Sequence, residues 1–317
     1  MIDLASTTIL GGGGGVKPIP TVIPEIEYEK IHHVGATTLW VGFAVMVLAS
    51  AVFALMSWNI PVSKRVYHVL TTTVTIIAAL SYFAMASGDG VSYKCESKTD
   101  YHEHLPDTHH DVCRQIYWAR YVDWSLTTPL LLVELCLLAG VDGAHTLMAT
   151  TASLIMTLTG LFAAFGNQHT FQKWGWFTIA CVAYLFVIWH VALHGSRVVR
   201  AKGDAVARHF GGLAAFLFVL WTIYPIVWGI AEGAHRTSVD TSVVVYTVLD
   251  ILAKVGFGLW LLAIQRRTPE TNVDLDGYWS NGLASEGRIR IGDPDNATSH
   301  RAVSGMWENG LREKDDS

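Results

Sequence analysis

Two acids stand in an otherwise apolar stretch, ARYVDWSLTTPLLLVELC, residues 119–136. Asp123 and Glu134 are eleven residues apart. At 100° per residue that is about 20° beyond three full turns, so a helix carries both carboxyls on one face, about 16 Å apart along its axis. Thr127 lies between them on that face, and Arg120 stands one turn before Asp123. A second apolar stretch, YTVLDILAKVGFGLW at 246–260, places Asp250 and Lys254 at i and i+4, again on one face. A desolvated lysine amine is suited to forming a Schiff base with a carbonyl compound. A structural Asp–Lys pair does not by itself explain why carboxyls stand on both sides of one buried lysine, and ionisable groups within a span mark function by default.

These residues need helices inside an apolar medium to position them. The chain of 317 residues is 51% hydrophobic and 15% charged, with a mean hydropathy of +0.34. A soluble chain carries about 25% charged residues, so composition points to a membrane protein. Seven segments have the roughly 20 apolar residues a span requires: 37–58, 66–88, 115–139, 144–165, 174–195, 207–230 and 243–265. The fold class is therefore an all-α seven-helix transmembrane bundle. A charged group within a span costs at least about 2.5–3.5 kcal/mol and marks function by default.

The chain divides into a flexible N-terminal tail over 1–36, the bundle over 37–265 and a polar tail over 266–317. The run Gly11–Gly15 reads as flexible chain, and Met1–Pro24 lacks the charged and apolar regions of a secretory signal. Lys64, Arg65, Arg197, Arg200, Lys202, Arg208, Arg266 and Arg267 gather at one end of the spans. Lys94, Lys98, Arg114, Lys173 and Arg236 gather at the other, diluted by acids. The positive-inside rule then sets the N-terminus outside and the C-terminus in the cytoplasm. The net charge of −5 gives no basic footprint for nucleic acid. No nucleotide motif or appended domain supports conventional enzyme activity.

Aromatic stripes in a helix bundle usually pack its core, and it is the buried lysine that gives this one a second reading. Trp221, Tyr224 and Trp228 fall at i, i+3 and i+7 on one helical face. With Lys254 they outline a slot for a long, flat, apolar molecule, and Pro225 between them predicts a kink.

Together RYVDWSLTTPLLLVEL, LDILAKVGFG and WTIYPIVW resemble the microbial (type 1) rhodopsins, over roughly 37–265. PIPTVIPEIEYE, LPDTHHDVCRQIYWARYVDW and DLDGYWSNGLASEGRIRIG resemble fungal opsins of the Neurospora type. The resemblance implies all-trans retinal on Lys254 as a protonated Schiff base. It implies that Asp123 is the proton acceptor and main counter-ion, Asp250 the second counter-ion, Arg120 the arginine beneath them and Thr127 the threonine bonded to the acceptor. Glu134 holds the proton-donor position. Tyr82, Trp124, Thr128, Leu131, Met156 and Gly160 match positions of the retinal pocket. So do Trp176, Trp221, Tyr224, Pro225 and Trp228.

The function implied is a light-driven outward proton pump in a lipid bilayer, the plasma membrane of a fungus, with protons as cargo. The alternative is a slow-cycling sensory rhodopsin with little net transport and an unidentified signalling partner. A homo-oligomer is implied by the family alone. Glu232 matches one of a pair of outer release carboxyls, but Ser242 holds the other position, with Asp240 two residues away. Ser153 stands where relatives commonly have an aspartate.

Cys95 and Cys113 bracket an outside-facing polar loop over 89–113, where disulfides are permitted. Nothing in the spacing fixes their separation. His102, His104, His109 and His110 are read as part of that solvated loop. His190 and His194 are spaced as a metal pair, but with no acid nearby they are read as a helix-end pair, and no metal is expected. Cys136 and Cys181 read as small core residues. The sequon at Asn296 lies on the cytoplasmic tail and is expected to stay unmodified.

Overall fold

The computed structural model describes residues 26–100, 108–268, 271 and 273. Among them are seven helices long and apolar enough to cross a membrane. They are α1 His33–Met56, α2 Val66–Ser87, α3 Trp118–Ala139, α4 Gly143–Phe165, α5 Phe171–Lys202, α6 Asp204–Gly233 and α7 Val239–Arg267. Each contains most of the span expected for it. Their outward surfaces are apolar: Leu48, Leu80, Leu147, Leu185 and Val219 are 63–66% exposed. Such a surface suits lipid, while the ionisable groups are turned into the bundle.

Local chemistry sets the helix ends. Glycine in the left-handed region stops α2 at Gly88 (φ 92°) and α3 at Gly140 (φ 77°). Asp142, Thr170 and Ser238 cap α4, α5 and α7, each accepting a hydrogen bond from the backbone N–H three residues on. Pro225 lies within α6, whose α-helical pairing continues to Trp228 before a π-helical turn at Gly229–Gly233. Further π turns occupy Trp189–His194 of α5 and Ile251–Gly256 of α7, the latter carrying Lys254. Such insertions are frequent at functional sites.

The polar connection before α3 is an ordered sheet rather than an irregular loop. Strand β1 (Glu27–Glu29) pairs in parallel with β3 (Thr108–Ile116), which pairs antiparallel with β2 (Ser92–Asp100). Cys95 faces Cys113 across β2 and β3, and the two form a disulfide. Arg114 ties the sheet down, pairing with Glu29 at 2.7 Å and donating to the Thr237 carbonyl at 3.0 Å.

The flexible tail expected through residue 36 is therefore ordered from Glu27 onward. The Ile31 N–H donates to Gln115, and both the His32 and Gly35 N–H groups donate to the Asp240 carboxylate. Asp240 thus anchors the start of α1 from the far end of the chain. Gly11–Gly15, His102, His104, Asn296 and nearly all of the C-terminal tail lie outside the described residues.

Candidate functional site

Lys254 and three carboxyls lie inside the bundle. Lys254 is 3% exposed, Asp123 1%, and Asp250 and Glu134 0%. The Lys254 Nζ is 2.9 Å from Asp123 Oδ2 and 2.8 Å from Asp250 Oδ1, so α3 and α7 clasp one cation between two carboxylates. Buried charges require this pairing.

The two acids are not equivalent. Asp250 is saturated: Tyr82 donates to Oδ2 at 2.8 Å, while Tyr224 at 2.8 Å and Trp124 at 3.1 Å donate to Oδ1. Asp123 Oδ1 has no partner. Asp123 therefore has capacity to take another proton, whereas Asp250 is fixed by four donors, Lys254 included.

Thr127 is one turn along from Asp123, as spacing required, but its hydroxyl donates to the Asp123 backbone carbonyl at 2.8 Å. The expected bond to the acceptor carboxyl is not formed. A helical threonine reaches the i−4 carbonyl without distortion, and that bond is the one made. Arg120 is buried beside the pair, but its guanidinium lies 4.4 Å from the Tyr246 ring centroid and 5.4 Å from that of Tyr117. Aromatic faces rather than carboxylates hold it. Glu134, further along α3, has neither carboxyl oxygen hydrogen-bonded.

A cleft runs from Lys254 between α3, α4, α5 and α6. Trp124, Thr128, Leu131, Met156 and Gly160 line it on one side, with Trp221, Tyr224, Pro225 and Trp228 on the other. Its long apolar walls and terminal lysine fit a polyene aldehyde.

Two expected pocket residues lie elsewhere. Tyr82 stands behind Asp250 as its hydrogen-bond donor. Trp176 packs edge-on against Phe162, and the α5 wall is made by Phe177, Ala180, Cys181 and Tyr184. Those four follow i, i+3, i+4 and i+7, a face readable from sequence, and Trp176 is rotated about 100° from it. Phe177 stacks on Trp228 at 4.6 Å.

Residues 33–268 match the family described as bacteriorhodopsin-like protein. The chain belongs to the bacteriorhodopsin-like family. This rhodopsin is 64% identical to Opsin-1 of Neurospora crassa over 280 residues, 88% of this chain and 92% of the relative. Its fold matches a light-driven proton pump from Leptosphaeria maculans with a TM-score of 0.74 and 53% identity, covering 77% of this chain and 99% of that one. The light-driven proton pump of Coccomyxa subellipsoidea matches with a TM-score of 0.67 and 35% identity, covering 74% and 99%. The chain is a type 1 rhodopsin and a multi-pass membrane protein.

At the sheet-bearing end of this rhodopsin, Glu232 lies in the α6 π turn and is 8% exposed. It lines a polar cavity with Lys173, Arg114 and His235. Ser242 is buried and donates to the Val239 carbonyl, and Asp240 is committed to α1. Neither pairs with Glu232 as a second release carboxyl. Ser153, likewise buried, donates to the Thr150 carbonyl within α4.

Sequence reasoning missed Gly42. A Cβ there would lie 2.6 Å from the Tyr82 ring, so Gly42 admits the tyrosine that holds Asp250. It also missed the acid beside the histidine pair: Asp142 Oδ2 is 3.5 Å from His194 Nε2. Asp142 enters from the α3–α4 turn, 52 residues before His194, so local spacing gives no sign of it.

Proposed function

We propose that this rhodopsin is a light-driven outward proton pump whose Lys254 carries all-trans retinal as a protonated Schiff base. The observation that carries the reading is the unequal pair around Lys254: Asp123, with one free carboxyl oxygen, and Asp250, with both oxygens engaged. Retinal, once attached, supplies absorption of visible light and an isomerisation that redirects the nitrogen's N–H. The nine cleft residues would hold it, with Trp124, Trp221 and Trp228 providing rigid aromatic walls.

Asp123 is the group that takes the proton from the Lys254 nitrogen, because its free oxygen can be protonated without breaking an existing bond. Asp250 stays ionised under its four donors and keeps the site's charge balanced. Glu134 carries a proton in the dark, since an unpartnered buried carboxyl is cheapest to hold as the neutral acid. It returns that proton to the Lys254 nitrogen from the opposite side. The positive-inside distribution of lysine and arginine supports a Glu134 that faces the cytoplasm and hence outward transport. The proposal includes a plasma-membrane location in a fungus; the Neurospora relative supports the fungal source.

A second reading, a slow-cycling light sensor, is favoured by one observation: Glu232 lacks a partner carboxyl because Ser242 and Asp240 are otherwise engaged. Flash photolysis of the pigment separates the two. A pump recovers its dark absorbance within milliseconds, and Glu134→Gln slows that recovery at least tenfold near neutral pH. Wild-type recovery over seconds, or a rate unchanged in Glu134→Gln, contradicts Glu134 as donor in a pump.

A further inference from the structure

The π turn of α5 and the α3–α4 turn bring together side chains with no part in the proton path. One oxygen of Asp142 and one ring nitrogen each of His145 and His194 lie within 4.8 Å of one another. The His145 and His194 ring centroids are 3.7 Å apart and the rings nearly perpendicular, at 84°. Asp142 Oδ1 is occupied by the His145 backbone N–H at 3.0 Å, leaving Oδ2 to face His194 at 3.5 Å. The helix cap therefore also orients the carboxylate.

We propose that Asp142, His145 and His194 form a binding site for a divalent transition-metal ion of the Zn2+ class. Donors about 2.0–2.2 Å from such an ion in tetrahedral geometry stand about 3.4 Å from one another. The Asp142–His194 edge already has that length at 3.5 Å, and a His145 ring nitrogen within 4.8 Å of both completes the set. Two imidazoles with one carboxylate select a borderline ion over Mg2+ or Ca2+, which take oxygen ligands.

His190 is an independent pointer to a ligand. It is 9% exposed with neither ring nitrogen hydrogen-bonded, and its ring centroid is 5.1 Å from that of His145. A neutral imidazole buried without a donor or acceptor is costly; one beside a metal has a coordination position or a bound water within reach. Asp142 is exposed, so the ion enters from solvent. Coordination would staple the α3–α4 turn to α5 at the end of the bundle nearer Glu134.

The test is Zn2+ binding to the full-length, retinal-loaded protein in detergent, by competition with a chromogenic chelator. The wild type is expected to bind one Zn2+ per chain at micromolar concentration. His145→Ala and His194→Ala should each weaken binding at least tenfold. Asp142→Asn keeps the helix cap but loses the anionic ligand, and should also weaken it. An unchanged visible band verifies folding of each variant. No binding by the wild type at 100 micromolar overturns the proposal. So does unchanged binding in the folded variants, which would place the ion at other histidines, such as His109 and His110 of the sheet.

Discussion

At the scale of single residues, the site depends on one amine and on what surrounds it. Lys254→Ala leaves Asp123 and Asp250 facing each other without their cation and removes the only attachment point proposed for the chromophore. Reconstitution with retinal should then give no visible absorption band, checked by difference spectroscopy; a coloured variant refutes attachment at Lys254. Gly42 gives a finer test. Gly42→Ala forces the Tyr82 ring away from a Cβ that would otherwise lie 2.6 Å from it, weakening the bond from Tyr82 to Asp250. Overpacking of this kind costs about 1–3 kcal/mol. A lower thermal midpoint and a shifted absorption maximum are expected, and wild-type values for both would show that Tyr82 is not held by this contact. The acids and the lysine were legible in the sequence because charge in an apolar helix is conspicuous. Gly42 was not, because its meaning lies in a ring carried by another helix.

At the scale of elements, helix spans and helix faces were readable, and contacts between distant elements were not. Apolar length located all seven spans, since runs of about 20 apolar residues leave few alternatives. It could not foresee that β1 pairs in parallel with a strand some 80 residues on, or that Cys95 and Cys113 fall opposite each other in that sheet. Trp176 stands one residue away from the α5 face that lines the cleft, which is formed by Phe177, Ala180, Cys181 and Tyr184. The sheet-bearing end also has a pH dependence. Burial, reinforced by the cations of Arg114, Lys173 and Lys98, pulls the His235 imidazole down to about 3. An unfolded histidine titrates near 6.5, so on acidification the unfolded chain takes up this proton first. The contribution to stability is complete above about pH 6.5 and is lost progressively between about 6.5 and about 3. Thermal midpoints of the wild type should fall across that window, and those of His235→Gln should fall less. Equal slopes would show that His235 is already solvated in the fold.

At the scale of the molecule, the bundle sets carboxyls on either side of a lysine along one axis and presents lipid with an apolar exterior. The proposed outward direction rests on the order of Asp123, Lys254 and Glu134 along that axis, together with the cationic end of the loops. Under the proposed function, pumping and sensing share one chromophore site and differ in how completely each cycle returns a proton through Glu134. The most direct measurement is the external pH of unbuffered cells expressing the retinal-loaded protein under continuous illumination. Sustained acidification that an uncoupler abolishes is the predicted result. A visible pigment whose illumination produces no net pH change contradicts a light-driven outward proton pump.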